Sequence, residues 1–114
     1  MEFLALIHGD QAAWEAMNDD EQQAVYKRYM DFSERPEVVG GAELQSTETA
    51  STVQVRNGDR LVTDGPYAEV KEALGGFFIL EAPSIDDACR LAAEIPAAEH
   101  GAIEVRPVYV REES

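Results

Sequence analysis

A few side chains in this sequence are of the types that move protons or hold anions, and each sits where a strand or turn could fix it. Asp64 stands directly before Gly65-Pro66. In that position a carboxylate commonly folds back onto nearby backbone N–H groups as an Asx turn. The same turn could instead fix Asp64 at a strand end facing a cleft, where it would hold an imidazole in one tautomer or act as a base. His100 precedes Gly101 near the C-terminal end of the chain. It reads either as an exposed capping residue or as a general acid/base, since its ordinary titration range lies near working pH. His8, closing the first apolar run, is the competing imidazole. Arg106 could grip a carboxylate or phenolate bidentately, or form a structural ion pair with Glu104 or Glu81. Tyr67 and Lys71 could line the mouth of such a site, although Lys71 also reads as a solvent-facing or salt-bridged residue. The chemistry these groups offer is acid/base catalysis on a small anion, with Asp64 and one imidazole, His100 or His8, as the catalytic pair and Arg106, Tyr67, Lys71 and the other imidazole around the substrate.

Other chemistries lack their residues. The two His lie near opposite ends of the chain, and no His/Cys/Asp/Glu cluster has metal-ligand spacing. Gly40-Gly41 and Gly75-Gly76 lack the context of a phosphate loop, and no Ser nucleophile elbow occurs. No cofactor is expected. Cys89 is the single cysteine, so no intrachain disulfide can form. It falls on a helical face with Ile85 and Ala92 and reads as a small buried hydrophobe.

The elements that must position these groups can be read from periodicity. Phe3 to Ile7 is continuously apolar, as in a central strand. Gln11 to Met17 could form a short helix around Trp14. Asn18 with Glu21 forms a capping-box pattern, and Val25, Tyr29 and Phe32 follow on one helical face until Glu34-Arg35-Pro36. Val38 to Leu44, with its Gly pair, reads as a loop or short strand. Thr52 to Arg56 alternates, Asn57-Gly58 is a strong hairpin signal, and Arg60 to Thr63 returns. Ala68 to Leu74 could be a helical turn or an ordered loop. Phe77 to Leu80 is another core strand. Ser84 caps a helix with Asp87 in its first turn and Ile85, Ala88, Ala92 and Ile95 on its apolar face. Pro96 stops it, and Ile103 to Val110 alternates as a last strand.

The order β-α-β-β-β-α-β predicts one domain over residues 1–114, an α+β ferredoxin-like sandwich whose antiparallel sheet carries two helices on one face. The other face would present Leu4 and Leu6, or Phe78 and Leu80, depending on register. An uncovered apolar sheet face calls for a partner, so a homodimer packed sheet against sheet is expected. Arg106 alternates away from Ile103, Val105 and Pro107. If that set packs on the helices, Arg106 points into the dimer cavity.

The segment Asp64-Gly-Pro-Tyr-Ala-Glu-Val-Lys-Glu72, followed by Gly75-Gly76, resembles the signature of the YCII-related family and, more narrowly, of its DGPF (DGPFAETKE) subgroup. Leu6-Ile7-His8-Gly9-Asp10 with Trp14, Leu61-Val62-Thr63, Ile95-Pro96-Ala97, His100-Gly101 and Glu104-Val105-Arg106-Pro107 resemble other parts of it. Tyr67 stands where the subgroup usually has Phe, and Val70 where it usually has Thr. The resemblance implies a dimeric α/β barrel. It also implies an enzyme-like site with a recurring His and Asp, similar to small barrels that isomerise or oxygenate ring compounds. It favours His100 over His8. Some relatives act on chlorinated hydroxyquinols, and some are fused to, or encoded beside, sigma factors.

Charge bounds the partners. The 114 residues hold 9 basic and 23 acidic side chains, a net −14, with the excess spread evenly along the chain. Such a surface is poorly suited to nucleic acid, which selects positive patches. The five-residue apolar run at the N-terminus has no preceding Lys or Arg and is too short for a signal-peptide core, which points to the cytoplasm and away from membranes. Two function classes follow. One is a cofactor-independent isomerase- or lyase-like enzyme acting on a small ring-bearing or carboxylated metabolite. The other is a non-catalytic dimeric module binding a small ligand or a protein, in the latter case within transcription regulation.

Overall fold

The computed structural model describes residues 1–67 and 73–111. Six strands and three helices follow in the order β1 (Glu2–Gly9), α1 (Gln11–Glu15), α2 (Asp19–Ser33), β2 (Val38–Glu43), β3 (Ser51–Arg56), β4 (Asp59–Asp64), β5 (Ala73–Glu81), α3 (Ile85–Ala92) and β6 (Ala102–Pro107). Short 3-10 turns at Thr47–Thr49 and Pro96–Glu99 complete the described chain. The fold is mixed α+β with antiparallel strand pairing throughout.

The sheet contains β2-β5-β1-β6, and β3 pairs with β4 alone in a second, two-stranded sheet. This corrects the expectation of one sheet holding every strand. The segment with the Gly pair, which read equally as loop, supplies the edge strand β2. Glycine is what makes that possible: a Cβ on Gly41, whose φ is +155°, would lie 2.5 Å from the carbonyl oxygen of Phe77. β2 can therefore approach β5 only with a bare backbone there. The hairpin signal at Asn57-Gly58 is realised with φ of 53° and 81°, the left-handed pair a tight two-residue turn requires.

Local capping sets the helix starts. Asn18 Oδ1 accepts from the Glu21 backbone N–H at 2.8 Å, and Glu21 Oε1 accepts from the Asn18 N–H at 3.1 Å. Ser84 Oγ accepts from the Asp87 N–H at 3.2 Å. Each satisfies N–H groups that the first helical turn leaves without partners.

Register decides what each sheet face buries. Phe3 lies opposite Leu80 and Pro107, Ala5 opposite Phe78 and Val105, and Ile7 opposite Gly76 and Ile103. That face packs on Phe32 of α2 and on Ala88, Leu91 and Ala92 of α3, with Ile95 beyond, to form the core. Phe32 meets the Phe78 ring edge-on at 4.9 Å between centroids. The opposite face carries Leu4, Leu6, Phe77 and Ile79, all half-buried and covered by no helix among the described residues. Phe78 and Leu80 thus belong to the helix side.

Cys89 is exposed rather than buried. The buried stripe of α3 runs through Ala88, Leu91 and Ala92, about one helical step round from the Ile85–Cys89 line, and Ile85 is itself 41% exposed. α3 ends at Ala92, so the helix stops before Pro96 is reached; Pro96 opens a 3-10 turn instead. No described helix is long and apolar enough to cross a membrane.

Candidate functional site

β1, β5 and β6 bring their site-bearing ends together at one end of the sheet. His8, near the C-terminal end of β1, pairs with Leu74 at the start of β5 and with Ala102 at the start of β6. Strand alternation places His8 on the uncovered face beside Leu4 and Leu6. Glu104 and Arg106 alternate onto the same face from β6, opposite Leu6 and Leu4 respectively.

These residues touch. His8 Nε2 lies 3.3 Å from Glu104 Oε1, and Arg106 Nε donates to Glu104 Oε2 at 2.6 Å. One carboxylate is therefore shared by an imidazole and a guanidinium. An ionised carboxylate only accepts, so the proton of a neutral His8 belongs on Nε2, and Nδ1 keeps its lone pair. Arg106 contacts Glu104 through Nε, which leaves both terminal nitrogens for an anion, and its side chain is 68% exposed. The hydrogen bond from Arg106 holds the Glu104 carboxyl below the usual carboxylate range, and His8 adds to the same effect more weakly. Glu104 thus stays ionised over a wider pH range, as a residue that orients an imidazole must.

The carboxylate and imidazole singled out first in the sequence are placed elsewhere. Asp64 ends β4, opposite Ser51, and is exposed. Among the described residues its carboxylate bonds neither imidazole, and no Asx turn forms. The turn after it is held by backbone instead, with the Gly65 N–H donating to the Ala50 carbonyl at 2.7 Å. Thr52 Oγ1 donates to the Gly65 carbonyl at 2.8 Å. His100 is an exposed residue closing the Pro96–Glu99 turn, its N–H donating to the Ala97 carbonyl. Its neighbour Glu99 takes a two-pronged bond from Arg28 at 2.8 and 3.1 Å, which ties the turn to α2. Tyr67 is 80% exposed beyond the ribbon. Lys71 lies outside the described residues. The structure brings together His8, Glu104 and Arg106, and does not bring Asp64 to His100.

The sequence offers Glu104 or Glu81 as the ion-pair partner of Arg106, and the structure selects Glu104. That the same carboxylate meets His8 depends on the β1–β6 register, which joins residues from the two ends of the chain. No group of three or more metal-capable side chains occurs among the described residues. Two surface hollows lie away from the site. In the larger, about 260 Å³, Arg35, Glu37, Asp87, Arg90 and Glu94 are all in ion pairs with one another. The smaller, about 150 Å³, is lined by Ala and aliphatic side chains beside Cys89.

Two comparisons with known proteins agree in direction. The sequence model of the YCII-related domain matches residues 1–112. An uncharacterised protein of Rhizobium meliloti (strain 1021) is 31% identical over 117 aligned positions, covering 95% of this chain and 92% of that protein.

Proposed function

This chain belongs to the YCII-related family, and we propose that it is a small acid/base enzyme whose proton-transfer group is His8. The observation that supports this is the His8–Glu104–Arg106 chain of contacts on an uncovered sheet face. In this reading His8 Nδ1 removes a proton from a small carboxylated or hydroxylated ring compound. Glu104 holds the ring and stabilises the imidazolium, and Arg106 grips the substrate anion with its terminal nitrogens. The proton returned to a neighbouring carbon gives isomerisation; loss of a leaving group instead gives elimination. His8 takes the role that the sequence offered to His100, and Glu104 the role offered to Asp64. The segment from Asp64 to Glu72 supports placing the chain in the DGPF subgroup, and its acidic composition suits a cytoplasmic protein.

The site is open on the apolar face of the sheet, where water would compete with every polar contact. A homodimer that joins the open faces of two copies would close it, with Leu4, Leu6, Phe77 and Ile79 as the apolar seam.

The test is deuterium uptake. A set of hydroxylated aromatic acids and lactones is incubated with the protein in D2O and followed by proton NMR. At least one compound should exchange, and His8→Gln should slow that exchange about 100-fold or more, while His100→Gln leaves it within a few-fold. Exchange that survives His8→Gln and fails in His100→Gln refutes the assignment.

A further inference from the structure

The β3–β4 ribbon is the one sheet element with no covered face among the described residues. Its twelve strand residues include none that is buried. Val53, Val55 and Val62 are 60%, 61% and 56% exposed. The pairing Val53↔Val62 and Val55↔Arg60 puts all three valines on one face; Thr52, Gln54, Thr63 and Leu61 take the other. A two-stranded hairpin in water is marginal without a third layer, and a clustered valine face exposed to water marks a contact surface. The chain's radius of gyration is 16.4 Å, against about 13 Å for a compact domain of similar length. The ribbon extends outward and does not fold back onto its own sheet.

Its root is as informative as its tip. The ribbon leaves from the C-terminal end of β2 and its chain returns to the N-terminal end of β5. Those ends lie beside the end of β1 that carries His8, since Glu43 pairs with Gly76 and His8 with Leu74. The ribbon is therefore rooted at the site end of the sheet while pointing away from its own site.

We propose that this ribbon is a dimerisation arm, its Val53–Val55–Val62 face lying against the His8 end of the open sheet face of a second copy. The proposal rests on the pairing of open faces inferred above and adds the element that closes it. Charge favours a second copy as the occupant. Each chain carries −14, so two chains repel over most of their surfaces. In the ribbon, Arg56 and Arg60 balance Asp59 and Asp64, so it carries no net charge to oppose a second copy. Size favours the same answer. A standard interface uses roughly 20–30 residues a side; the open face offers only the alternate residues of four strands, and the ribbon face adds Val53, Val55, Arg60 and Val62 to it.

The experiment uses the full chain and light scattering across a dilution series. Val53→Asp/Val62→Asp should raise the dimer dissociation constant about 30-fold or more, as loss of an interface anchor does. Thr52→Asp, on the other ribbon face, should change it less than threefold, and far-ultraviolet circular dichroism should show all variants folded. Leu6→Asp, on the open face, separates the two ideas. If Leu6→Asp dissociates the dimer and the double valine variant does not, the arm is refuted and the face pairing stands. If wild type is monomeric at millimolar concentration, both are refuted.

Discussion

The four-stranded sheet and the β3–β4 ribbon use the same backbone logic and reach opposite states of burial. In β1, Phe3 and Ala5 are fully buried, and Ile7 is 9% exposed. In β3, Val53 and Val55 occupy the same alternating pattern and remain more than half exposed. The difference is not propensity, because β-branched valine suits a strand at least as well as alanine does. It lies in what covers the face. β1 is a central strand with β5 and β6 on either side and α2 and α3 above it. Among the described residues the ribbon has only its own two strands. A strand pattern therefore specifies a face that needs burial, and tertiary connectivity decides whether the same chain supplies the cover.

That contrast can be broken by truncation. Phe3→Ala should cost about 3–5 kcal/mol, since it opens a cavity between the sheet and both helices; urea unfolding would read it, and a cost under 1 kcal/mol would mean that β1 is not the centre of the core. A smaller effect belongs to the ribbon. Gly58 holds φ of 81° at the turn, so Gly58→Ala should weaken the hairpin by about 1 kcal/mol. Hydrogen exchange would show this as faster exchange at Thr52 to Val55 with the β1 amides unchanged. Equal acceleration in β1 would show that ribbon and sheet open as one unit.

The smallest effect sharpens the site. Arg106→Gln removes the main cause of the lowered Glu104 titration, so that carboxyl should titrate at higher pH by carbon-13 NMR. The sign follows from linkage. With its folded-state value depressed, the Glu104 contribution is present above its unfolded value and is lost as pH falls through the folded one. Arg106→Gln should shrink that acid-side loss. An unchanged Glu104 titration in Arg106→Gln would show that the guanidinium does not govern this carboxylate.

Much of the fold was legible because its signals are local. The Asn18–Glu21 capping box, the Ser84 cap, the Asn57-Gly58 turn and the Phe3–Ile7 core strand each depend on a handful of adjacent residues. β2 was obscure because its Gly pair imitates a loop, and only the close approach to Phe77 explains the glycine at position 41. Cys89 was misplaced because two helical faces about one step apart both look apolar, and only the packing of α3 onto the core selects the Ala88–Leu91–Ala92 side. In the candidate site, the side of β6 that carries Arg106 was readable from alternation, with Glu104 and Glu81 both open as its partner. The meeting of Glu104 with His8 was not, because it joins residues 96 positions apart.

An acidic α+β domain resembling the YCII-related family, its helix starts, its hairpin turn and its central apolar strands are all readable along the chain. Those follow from short-range sterics, capping and periodicity. It took the assembled fold to set β3 and β4 apart from the main sheet, and to make Leu4, Leu6, Phe77 and Ile79 the face left uncovered among the described residues. The assembled fold also decided that His8 meets Glu104. Each of these is set by strand register and by which layer covers which face, and both depend on pairings between distant segments that no local pattern encodes.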